Sequence, residues 1–495
     1  MISAAPQLQA RENPSALHAS LGFLLAAAAE RVFPDREFFI EHSFLSGYYC
    51  HFGVDAPLSG DDVALLAETL GSFMDGKAQL ELLDLPRGEL QAIFEHKRRT
   101  DKLEILRRLG LDPIPAARFE TYCDYRFEPM VTDMQRLANF KLTPYDHGFV
   151  LRFPSLLPPF EVPPFRDSPK LYQSIRQRHD WGRSLRITNL RQMNKVLEGE
   201  NFREMVLVAE GLHEKTVAEI ADAISAHPQS RAIFVSGPSS SGKTTFAKRL
   251  AIQLKVNGLE TVSLSMDDYF FDQADMAPEP DGSLNFEGLD VLDVERLIAT
   301  VKSLLAGEES PVRRYSFKKG KGAQTDQTIS LPAGAYLIVE GIHGLNPVFS
   351  TQLGDDQLQR VYVSAITQLS IDNEHRISSS DNRLLRRMVR DQQFRGYDAE
   401  DTLLRWPSVR LGEEQHVFRY QEAADFMFNS ALIYELAALR PMAEIVLRGV
   451  PEESPAYPEA SRLATLLSFT QPMDLDPVPR NSILREFLGG SAFRY

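Results

Sequence analysis

Residues 237–245 carry a pattern of residue types that can hold a phosphate group. The run reads Gly-Pro-Ser-Ser-Ser-Gly-Lys-Thr-Thr and fits G-x-x-x-x-G-K-[ST]. The glycines let successive backbone N–H groups turn toward an anion without a Cβ atom in the way. In this motif Lys243 would reach the β- and γ-phosphates, and the Thr244 hydroxyl group would bind Mg²⁺. The alternative is a chance match in a loop rich in serine and glycine.

The segments on either side agree with a phosphate loop, which needs a strand before it and a helix after it. Residues 231–236 form a short apolar run with β-branched members, and residues 245–254 place Phe246, Leu250 and Leu254 on one helical stripe. The helix would direct the positive end of its dipole at the same phosphates. We therefore expect a nucleotide to contact Gly237, Ser239, Ser240, Ser241, Gly242, Lys243, Thr244 and Thr245.

Two acidic residues follow apolar runs farther along the chain. Asp267 comes after the run that begins at residue 263, and Glu340 ends the run 336–340. At the carboxyl ends of strands in an open α/β sheet, such carboxylates lie beside the phosphate loop, where ligands bind. Asp267 could then hold Mg²⁺ or orient an acceptor hydroxyl group, and Glu340 could hold Mg²⁺ directly or through water. The alternative for Asp267 is a helix N-cap or an Asx turn.

Residues 383–396 are dense in arginine. Several of these arginines have the spacing i, i+3, i+4 and i+7 and would share one face of a helix: Arg383, Arg386, Arg387 and Arg390. Guanidinium groups on one face repel one another unless anions neutralise them. A lid over a triphosphate would supply such anions. The alternative is a solvated basic face paired with acidic residues from elsewhere in the chain.

Composition limits the classes of protein to which the chain can belong. The 495 residues are 43% hydrophobic and 25% charged, which is typical of a globular protein with about two to four domains. The net charge of −14 argues against bulk binding of nucleic acid. Two cysteines, Cys50 and Cys123, form neither a disulfide framework nor a metal-binding spacing, and they favour a cytoplasmic protein. The apolar residues 21–29 are too few to span a bilayer and predict a buried helix.

The order of apolar runs predicts an α/β fold over the second half of the chain. Strands alternating with helices indicate a parallel sheet with helices on both faces; the predicted strands are residues 231–236, 260–265, 336–339, 359–364 and 443–447. Five prolines in residues 154–166 indicate a linker. We predict four parts: an α+β domain (1–153), a proline-rich linker with a helical connector (154–230), a P-loop domain (231–450), and a C-terminal helix and tail (451–495).

Over residues 231 to about 450 the chain resembles the uridine kinase and phosphoribulokinase family of P-loop kinases. Beside the phosphate loop, the family's motifs are matched in order by Ser-Met-Asp-Asp-Tyr-Phe (265–270), Asn-Phe-Glu-Gly-Leu-Asp (285–290), Arg-Tyr-Ser-Phe (314–317), Val-Glu-Gly-Ile (339–342), Arg-Arg-Met-Val-Arg-Asp (386–391) and Arg-Gly (395–396). The resemblance implies ATP and Mg²⁺ as cofactors, Asp267 as base and metal contact, and Glu340 as metal ligand. It also implies that Arg387, Arg390 and Arg395 belong to the lid and contact the phosphates.

The departures from that family concern the acceptor. The family's Asn-Phe-Asp, which helps to hold a ribose, reads Asn-Phe-Glu and ends at Glu287; the position of its pyrimidine-reading histidine falls near Gly320; and the arginine expected after Arg395-Gly396 is Tyr397. A site that loses a hydrogen-bonding group loses discrimination. A pyrimidine nucleoside is therefore a doubtful substrate. We expect the acceptor to contact Phe270, Glu287, Tyr315, Arg387 and the basic loop 318–321.

Residues 15 to about 153 resemble the domain that follows the ubiquitin-like module of threonyl-tRNA synthetases. The matching runs are residues 17–25, 31–35, 47–52 and 122–123. In synthetases this domain carries an H-x-x-x-H and C-x-x-x-H editing site; here those positions are His18 and Gly22, and Cys123 and Phe127. We therefore expect no zinc or editing site. The combination of both domains is similar to a family of bacterial nucleoside-kinase-like proteins.

These observations predict an ATP-dependent kinase that phosphorylates a hydroxyl group of a nucleoside or related sugar. Lys243, Arg387 and Arg390 would stabilise charge on the transferred group, beside the nucleotide-binding Arg395. We expect a homo-oligomer that acts on a small acceptor, either a nucleoside or an anionic sugar, and has no membrane partner. The alternative is an ATP-regulated RNA-binding protein that uses its synthetase-like domain and phosphorylates no metabolite.

Overall fold

The computed structural model describes residues 14–44, 47–53, 57–76, 78–155, 161–278, 284–317 and 319–495. Lys318 of the predicted acceptor loop and residues 156–160 of the predicted linker lie outside these ranges. None of the helices within them combines the length and the hydropathy that crossing a bilayer requires.

The N-terminal region is an α+β arrangement of antiparallel sheets and helices. One sheet has the order β1-β2-β7-β6, and a smaller one the order β3-β4-β5. Their strands are β1 (Phe39–Phe44), β2 (Gly47–His51), β3 (Glu81–Leu85), β4 (Ile114–Phe119), β5 (Tyr122–Tyr125), β6 (Lys141–Tyr145) and β7 (Gly148–Arg152). The helices are α1 (Pro14–Val32), α2 (Gly60–Asp75), α3 (Arg87–His96) and α4 (Thr100–Arg108). Leu21, Leu24 and Leu25 of α1 are fully buried, so the buried helix predicted at residues 21–29 is confirmed.

Three helices connect this region to the second half of the chain. They are α5 (Pro169–Ser184), α6 (Leu190–Leu197) and α7 (Phe202–Ser225). The buried face of α7, with Val217, Ile220 and Ile224, packs with Leu250 and Leu254 in one apolar cluster. The connector is therefore part of the fold that holds the phosphate loop.

The second half contains a five-stranded parallel sheet with the order β14-β13-β8-β12-β9. Its strands are β8 (Ala232–Ser236), β9 (Thr261–Ser265), β12 (Tyr336–Glu340), β13 (Leu358–Ser364) and β14 (Phe426–Asn429). Helices α8 (Lys243–Val256), α9 (Val294–Leu305) and α10 (Pro347–Leu353) pack beside it, and β10 (Ser310–Ser316) pairs with β11 (Lys321–Ile329) as a hairpin. The predicted α/β class with an α+β N-terminal domain is confirmed.

One predicted strand is wrong. Residues 443–447 lie in α13 (Glu435–Leu447), and the fifth strand is the four-residue β14. Leu436, Leu439, Ala443 and Leu447 are buried. Their helical spacing places them on one face, and this packing decides the conformation of a short apolar run that could form either element.

The two halves share an apolar core. The cluster that contains Leu90 and Phe94 of α3 also contains Leu384 and Leu385 of α11 (Ser379–Arg390). It continues into α12 (Ala399–His416), α13 and α14 (Tyr457–Ser468), and a last short helix is α15 (Arg485–Leu488). The arginine-rich helix α11 therefore contributes to a core that both halves of the molecule share.

Candidate nucleotide site

The phosphate loop occupies the turn between β8 and α8 at the centre of the sheet. β8 lies between β12 and β13. The strands β9 and β12 lie on one side of β8, and β13 and β14 lie on the other, so the loop is at a topological switch point of the sheet. Gly242 has φ +83°, and a Cβ atom there would lie 2.6 Å from Cγ2 of Ile483. Gly237 packs against the carbonyl oxygen of Val363 so closely that any side chain would collide with it. Both glycines are therefore required by the tight path of the loop.

The loop presents donors that suit an anion. The buried hydroxyl groups of Ser240 and Ser241 have no hydrogen-bond partner among the described residues. Lys243 donates from Nζ to the carbonyl oxygen of Pro238 at 2.9 Å, so its ammonium group folds back over the loop. Burial lowers the pKa of Lys243, while Glu340 and Asp267 act in the opposite direction. A half-buried ammonium group and hydroxyl groups without partners in one loop fit a bound phosphate chain.

Asp267 and Glu340 lie at the same edge of the sheet, at the ends of adjacent strands. Glu340 is the last residue of β12, opposite Ser265 of β9, and its Oε1 accepts a hydrogen bond from Ser265 Oγ at 3.0 Å. Asp267 follows Ser265 in a short 3₁₀ turn. Burial, with Asp267 as a nearby negative charge, raises the pKa of Glu340 to about 7. Burial also raises the pKa of Asp267, opposed by Lys243 and Arg395. Two oxygen ligands at this edge suit Mg²⁺.

Asp268 has a different environment from Asp267. Its carboxylate accepts hydrogen bonds from Arg314 Nη1 at 2.6 Å and from the backbone N–H of Tyr315 at 3.0 Å. Its carbonyl oxygen accepts a bond from Arg313 Nε at 2.9 Å. Asp268 therefore holds the β10–β11 hairpin.

Two of the arginines expected to face a ligand are structural. Arg386 is fully buried and forms a bidentate ion pair with Glu435, with both distances at 2.7 Å. Arg383 pairs with buried Glu413, which also accepts the Ser239 backbone N–H at 2.8 Å. The expectation that all four arginines of α11 serve a lid was thus wrong for this pair. The alternative of acidic partners from elsewhere applies to it, because guanidinium groups at these depths need buried carboxylates.

The remaining arginines gather around Asp391, which sequence analysis missed. Arg387 lies 3.3 Å from Asp391 and donates to Ser239 Oγ at 2.9 Å. Arg390 donates to Asp391 Oδ1 at 2.9 Å, and Arg395 lies 3.7 Å from the same atom. Repulsion by Arg390 is the main cause that lowers the pKa of Arg395 to about 10. Three guanidinium groups share one carboxylate, which leaves excess positive charge beside the phosphate loop.

The predicted acceptor residues divide into charged and aromatic members. Burial, with Glu413 as a negative neighbour, raises the pKa of Glu287 to about 7, and Arg387 opposes that rise. Phe270 is only 4% exposed, and its ring meets those of Phe286, Tyr315 and Phe317 edge-on at 5.6–5.8 Å. Glu287 thus lies among the site's charges, whereas Phe270 packs inside an aromatic cluster beside the hairpin.

Gly320 and Tyr397, the two other departures from the family pattern, make contacts within the protein. The Gly320 carbonyl oxygen accepts the Gln273 backbone N–H at 2.9 Å, and the residue has φ +63°. The guanidinium group of Arg405 lies 4.8 Å from the centre of the Tyr397 ring. Neither position offers the side chain that the uridine-kinase pattern would place there.

Thr245 contacts the C-terminal part of the chain. Its backbone N–H and Oγ donate to Glu486 Oε2 at 3.3 Å and 2.5 Å, and its Oγ lies 2.9 Å from the Tyr495 hydroxyl group. Nothing in the sequence pattern pointed to Glu486 or to Glu413, because both act across long sequence separations.

The synthetase-like positions line a cavity between the two halves of the molecule. His18, Gly22 and Phe127 line it together with Arg376, whereas Cys123 does not. His18 stacks on Phe153 at 3.8 Å between ring centroids, and burial lowers the pKa of His18 to about 3. The absence of zinc here stays a prediction.

In the part of the chain that the structure describes, two other groups of potential metal ligands are satisfied by protein partners. Glu41 Oε1 lies 2.8 Å from Nε2 of His51 and 2.8 Å from Nε2 of His179. Because His51 Nδ1 accepts the Gly53 backbone N–H at 2.9 Å, its proton is on Nε2 and points at Glu41, which leaves no lone pair for a metal ion. Asp372 and Glu374 enclose the ammonium group of Lys102, at 3.5 and 3.0 Å.

Comparison with known proteins finds similarity to kinases over the second half of the chain. Residues 232–433 match the model of the Phosphoribulokinase / Uridine kinase family. A uridine kinase of Staphylococcus epidermidis is 28% identical over 200 residues, which cover 40% of this chain and 87% of that enzyme. Among solved structures, D-glycerate 3-kinase from Cryptococcus neoformans shares 14% identity and a TM-score of 0.26, covering 45% of this chain and 89% of that one.

The N-terminal region is similar to part of another enzyme. A threonine–tRNA ligase of Nitratidesulfovibrio vulgaris is 28% identical over 123 residues, which are 25% of this chain. The aligned region spans only 19% of that ligase.

Proposed function

We propose that the protein is an ATP-dependent kinase that phosphorylates a hydroxyl group of a small molecule, a proposal supported by the match of residues 232–433 to the phosphoribulokinase and uridine kinase family. The observation that carries the proposal is the meeting of Lys243, Asp267 and Glu340 at one edge of the sheet. Glu340 and Asp267 both act on the pKa of Lys243, and Asp267 and Lys243 both act on the pKa of Glu340. Lys243 also opposes the rise in the pKa of Asp267. Mutual perturbation of buried ionisable groups is typical of a reaction centre.

We assign roles to these residues from their surroundings. The loop amides, Ser240, Ser241 and Lys243 would bind the phosphate chain, and Thr244, Asp267 and Glu340 would hold Mg²⁺. The metal ion, when bound, supplies positive charge that offsets charge on the phosphoryl group. Asp267 would accept a hydrogen bond from the acceptor hydroxyl group and take its proton, because Asp268 is engaged by the hairpin.

The arginines would stabilise the transferred group. Among the described residues, Asp391 is the ion-pair partner that Arg387, Arg390 and Arg395 have in common, so its carboxylate neutralises only part of their combined charge. An anionic phosphate chain would complete that neutralisation. The proposal therefore places these arginines over the nucleotide and keeps Arg383 and Arg386 as supports of the loop.

The acceptor would bind between Glu287 and the hairpin. The Glu287 carboxyl group can form hydrogen bonds, and its pKa is raised to about 7. Two exposed lysines, Lys319 and Lys321, come shortly after the last aromatic residue of the cluster in the sequence. This combination favours a polyhydroxylated acceptor with an anionic group over a pyrimidine nucleoside. The free buried thiols of Cys50 and Cys123 support a reducing, cytoplasmic location.

The test is transfer of labelled γ-phosphate from ATP to a panel of nucleosides, sugars and sugar phosphates. The proposal expects one class of acceptor to be phosphorylated by the wild-type protein and not by the folded Lys243→Ala variant. RNA binding that changes with ATP, without a phosphorylated small molecule, would support the RNA-binding alternative instead.

A further inference from the structure

Residues 482–495, which we name the tail segment, lie directly on the phosphate loop and its helix. Ile483 packs against Gly242, close enough that a Cβ atom there would meet it at 2.6 Å. Glu486 accepts both donors of Thr245, and the Tyr495 hydroxyl group reaches the same Thr245 oxygen. Lys248 of α8 lies 5.7 Å from the centre of the Tyr495 ring. The segment thus touches the first turn of the helix that receives the phosphates.

The same segment is anchored to the arginine-rich element. Phe487 is fully buried with the guanidinium group of Arg386 5.2 Å from its ring centre, and its carbonyl oxygen accepts a bond from Gln393 Nε2 at 3.0 Å. Ile483 and Leu484 are also fully buried. Glu486 is half-buried, and Tyr495 is 60% exposed. The anchor is therefore buried in the fold, whereas the two side chains that touch Thr245 are partly exposed.

Glu486 satisfies donors that a nucleotide would need. A backbone N–H in the first turn of a helix and a neighbouring hydroxyl group form an anion-binding pair, because the helix dipole adds positive potential there. In this structure the anion is a carboxylate of the protein itself. Glu486 is also close enough to Lys243 and Glu340 to affect the pKa of each. A phosphate group entering this site would meet a negative charge already bound to its donors.

We propose that Glu486 is a built-in competitor of the nucleotide, so that phosphate binding requires its carboxylate to leave Thr245. The inference rests on the proposed function, since it concerns the regulation of the same site. Release of Glu486 would also free Tyr495 from Thr245, while Ile483 and Phe487 keep the segment attached. Nucleotide binding and release of the contact between Glu486 and Thr245 are then coupled, because each favours the other.

The experiment measures dissociation constants of ATP, ADP and adenosine for the full-length wild-type protein and for Glu486→Gln. The amide keeps the shape and one acceptor oxygen but removes the charge. We expect ATP and ADP to bind about tenfold more tightly to the variant, as loss of a charged hydrogen-bonded competitor predicts. Adenosine, which has no phosphate group, should bind equally to both. Glu453→Gln, an exposed residue ahead of α14, is the matched control and should leave every constant unchanged.

A second measurement follows the tail segment itself. Hydrogen exchange of the amides in residues 489–495 should become faster when ATP is added to the wild-type protein, whereas amides near Phe487 should not change. Tyr495→Phe removes only the hydroxyl contact and should tighten ATP binding by a smaller factor than Glu486→Gln. This variant also keeps the idea testable if Glu486→Gln does not fold.

The outcomes separate this inference from the proposed function. If ATP binds the wild-type protein and Glu486→Gln with equal affinity, and exchange in residues 489–495 does not change, the competitor is refuted and the kinase proposal stands. Tighter binding of adenosine as well would also refute competition with phosphate. If ATP binds neither protein, and Lys243→Ala makes no difference, the proposed function itself fails.

Discussion

The carboxylate of Asp268 accepts the backbone N–H of Tyr315 at 3.0 Å, and this bond ties the turn after β9 to the hairpin. It engages one of two adjacent acids in holding the fold and leaves Asp267 among the charges of the site. Asp267 and Asp268 have the same side chain and are adjacent in the sequence. They therefore offer a matched pair of substitutions.

Asp267→Asn should lower kcat about 10²- to 10⁴-fold, the range for loss of a general base, with little change in the melting temperature. Asp268→Asn should chiefly lower the melting temperature, because the hairpin loses a charged acceptor. Steady-state kinetics beside thermal melts of both variants make the comparison. A larger fall in kcat for Asp268→Asn would reverse the assignment.

Lys243→Ala should lower kcat/KM about 10²- to 10³-fold, the range seen when one preorganised donor of transition-state charge is removed. The ammonium group bonds only to the Pro238 carbonyl oxygen among the described residues, so its loss should cost little stability. Lys255→Ala, at the far end of the same helix, is the control. Wild-type turnover by a folded Lys243→Ala variant would show that the phosphate loop does not take part in catalysis.

Glu413→Gln should weaken both the fold and the site. The change leaves the buried Arg383 without a charged partner and weakens the acceptor of the Ser239 N–H. Breaking a buried ion pair costs about 3–5 kcal/mol, so the melting temperature should fall by roughly 5 °C or more. The exposed Glu414→Gln is the control, because its partner Arg410 is on the surface. Equal melting temperatures for the two variants would contradict this role.

Mg²⁺ affinity in the presence of ATP should rise with pH up to about 7 and then level off. The folded protein raises the pKa of Glu340 from 4.5 to about 7, so the ligand-free carboxyl group is largely protonated below that pH. Mg²⁺ needs the ionised form and must displace the proton, which weakens binding as the pH falls from 7. The same raised pKa disfavours the ionised folded state, so Glu340 also costs stability as pH rises from 4.5 toward 7.

Isothermal titration in buffers of different ionisation enthalpy would count the protons released on Mg²⁺ binding at pH 6. Glu340→Gln should bind Mg²⁺ weakly at every pH and release fewer protons. Because burial also raises the pKa of Glu287 to about 7, Glu287→Gln is the necessary comparison. If Glu287→Gln alone abolishes the proton release, the metal-ligand role belongs elsewhere.

The sequence predicted the parts of the fold that depend on local pattern. The strand at residues 232–236, the loop and the helix after it follow from one motif and its periodicity, and Glu340 follows from an apolar run that ends in an acid. The helix at residues 435–447 was misread because a five-residue apolar run fits either period. The strand β14 has only four residues, which are too few to show the alternating pattern of a strand.

Two of the missed residues act over long sequence separations. Glu413 reaches Ser239 and Arg383, and Glu486 reaches Thr245. Partners of this kind are set by how helices dock on the sheet, and no local pattern encodes them. The arginine spacing correctly indicated one helix, but only packing decided which guanidinium groups are buried.

Phosphoryl transfer from ATP to a small acceptor is the central claim, and one measurement tests it most directly. The wild-type protein, Lys243→Ala and Asp267→Asn are incubated with labelled ATP, Mg²⁺ and a panel that contains uridine, cytidine and anionic sugars. The account predicts a phosphorylated anionic sugar with the wild-type protein, at least about a hundredfold less with either variant, and poor turnover of uridine and cytidine. Efficient phosphorylation of uridine, at about 10⁴ M⁻¹s⁻¹ or more, would contradict the acceptor assignment. ATP binding without any phosphorylated acceptor across the panel would contradict the kinase itself.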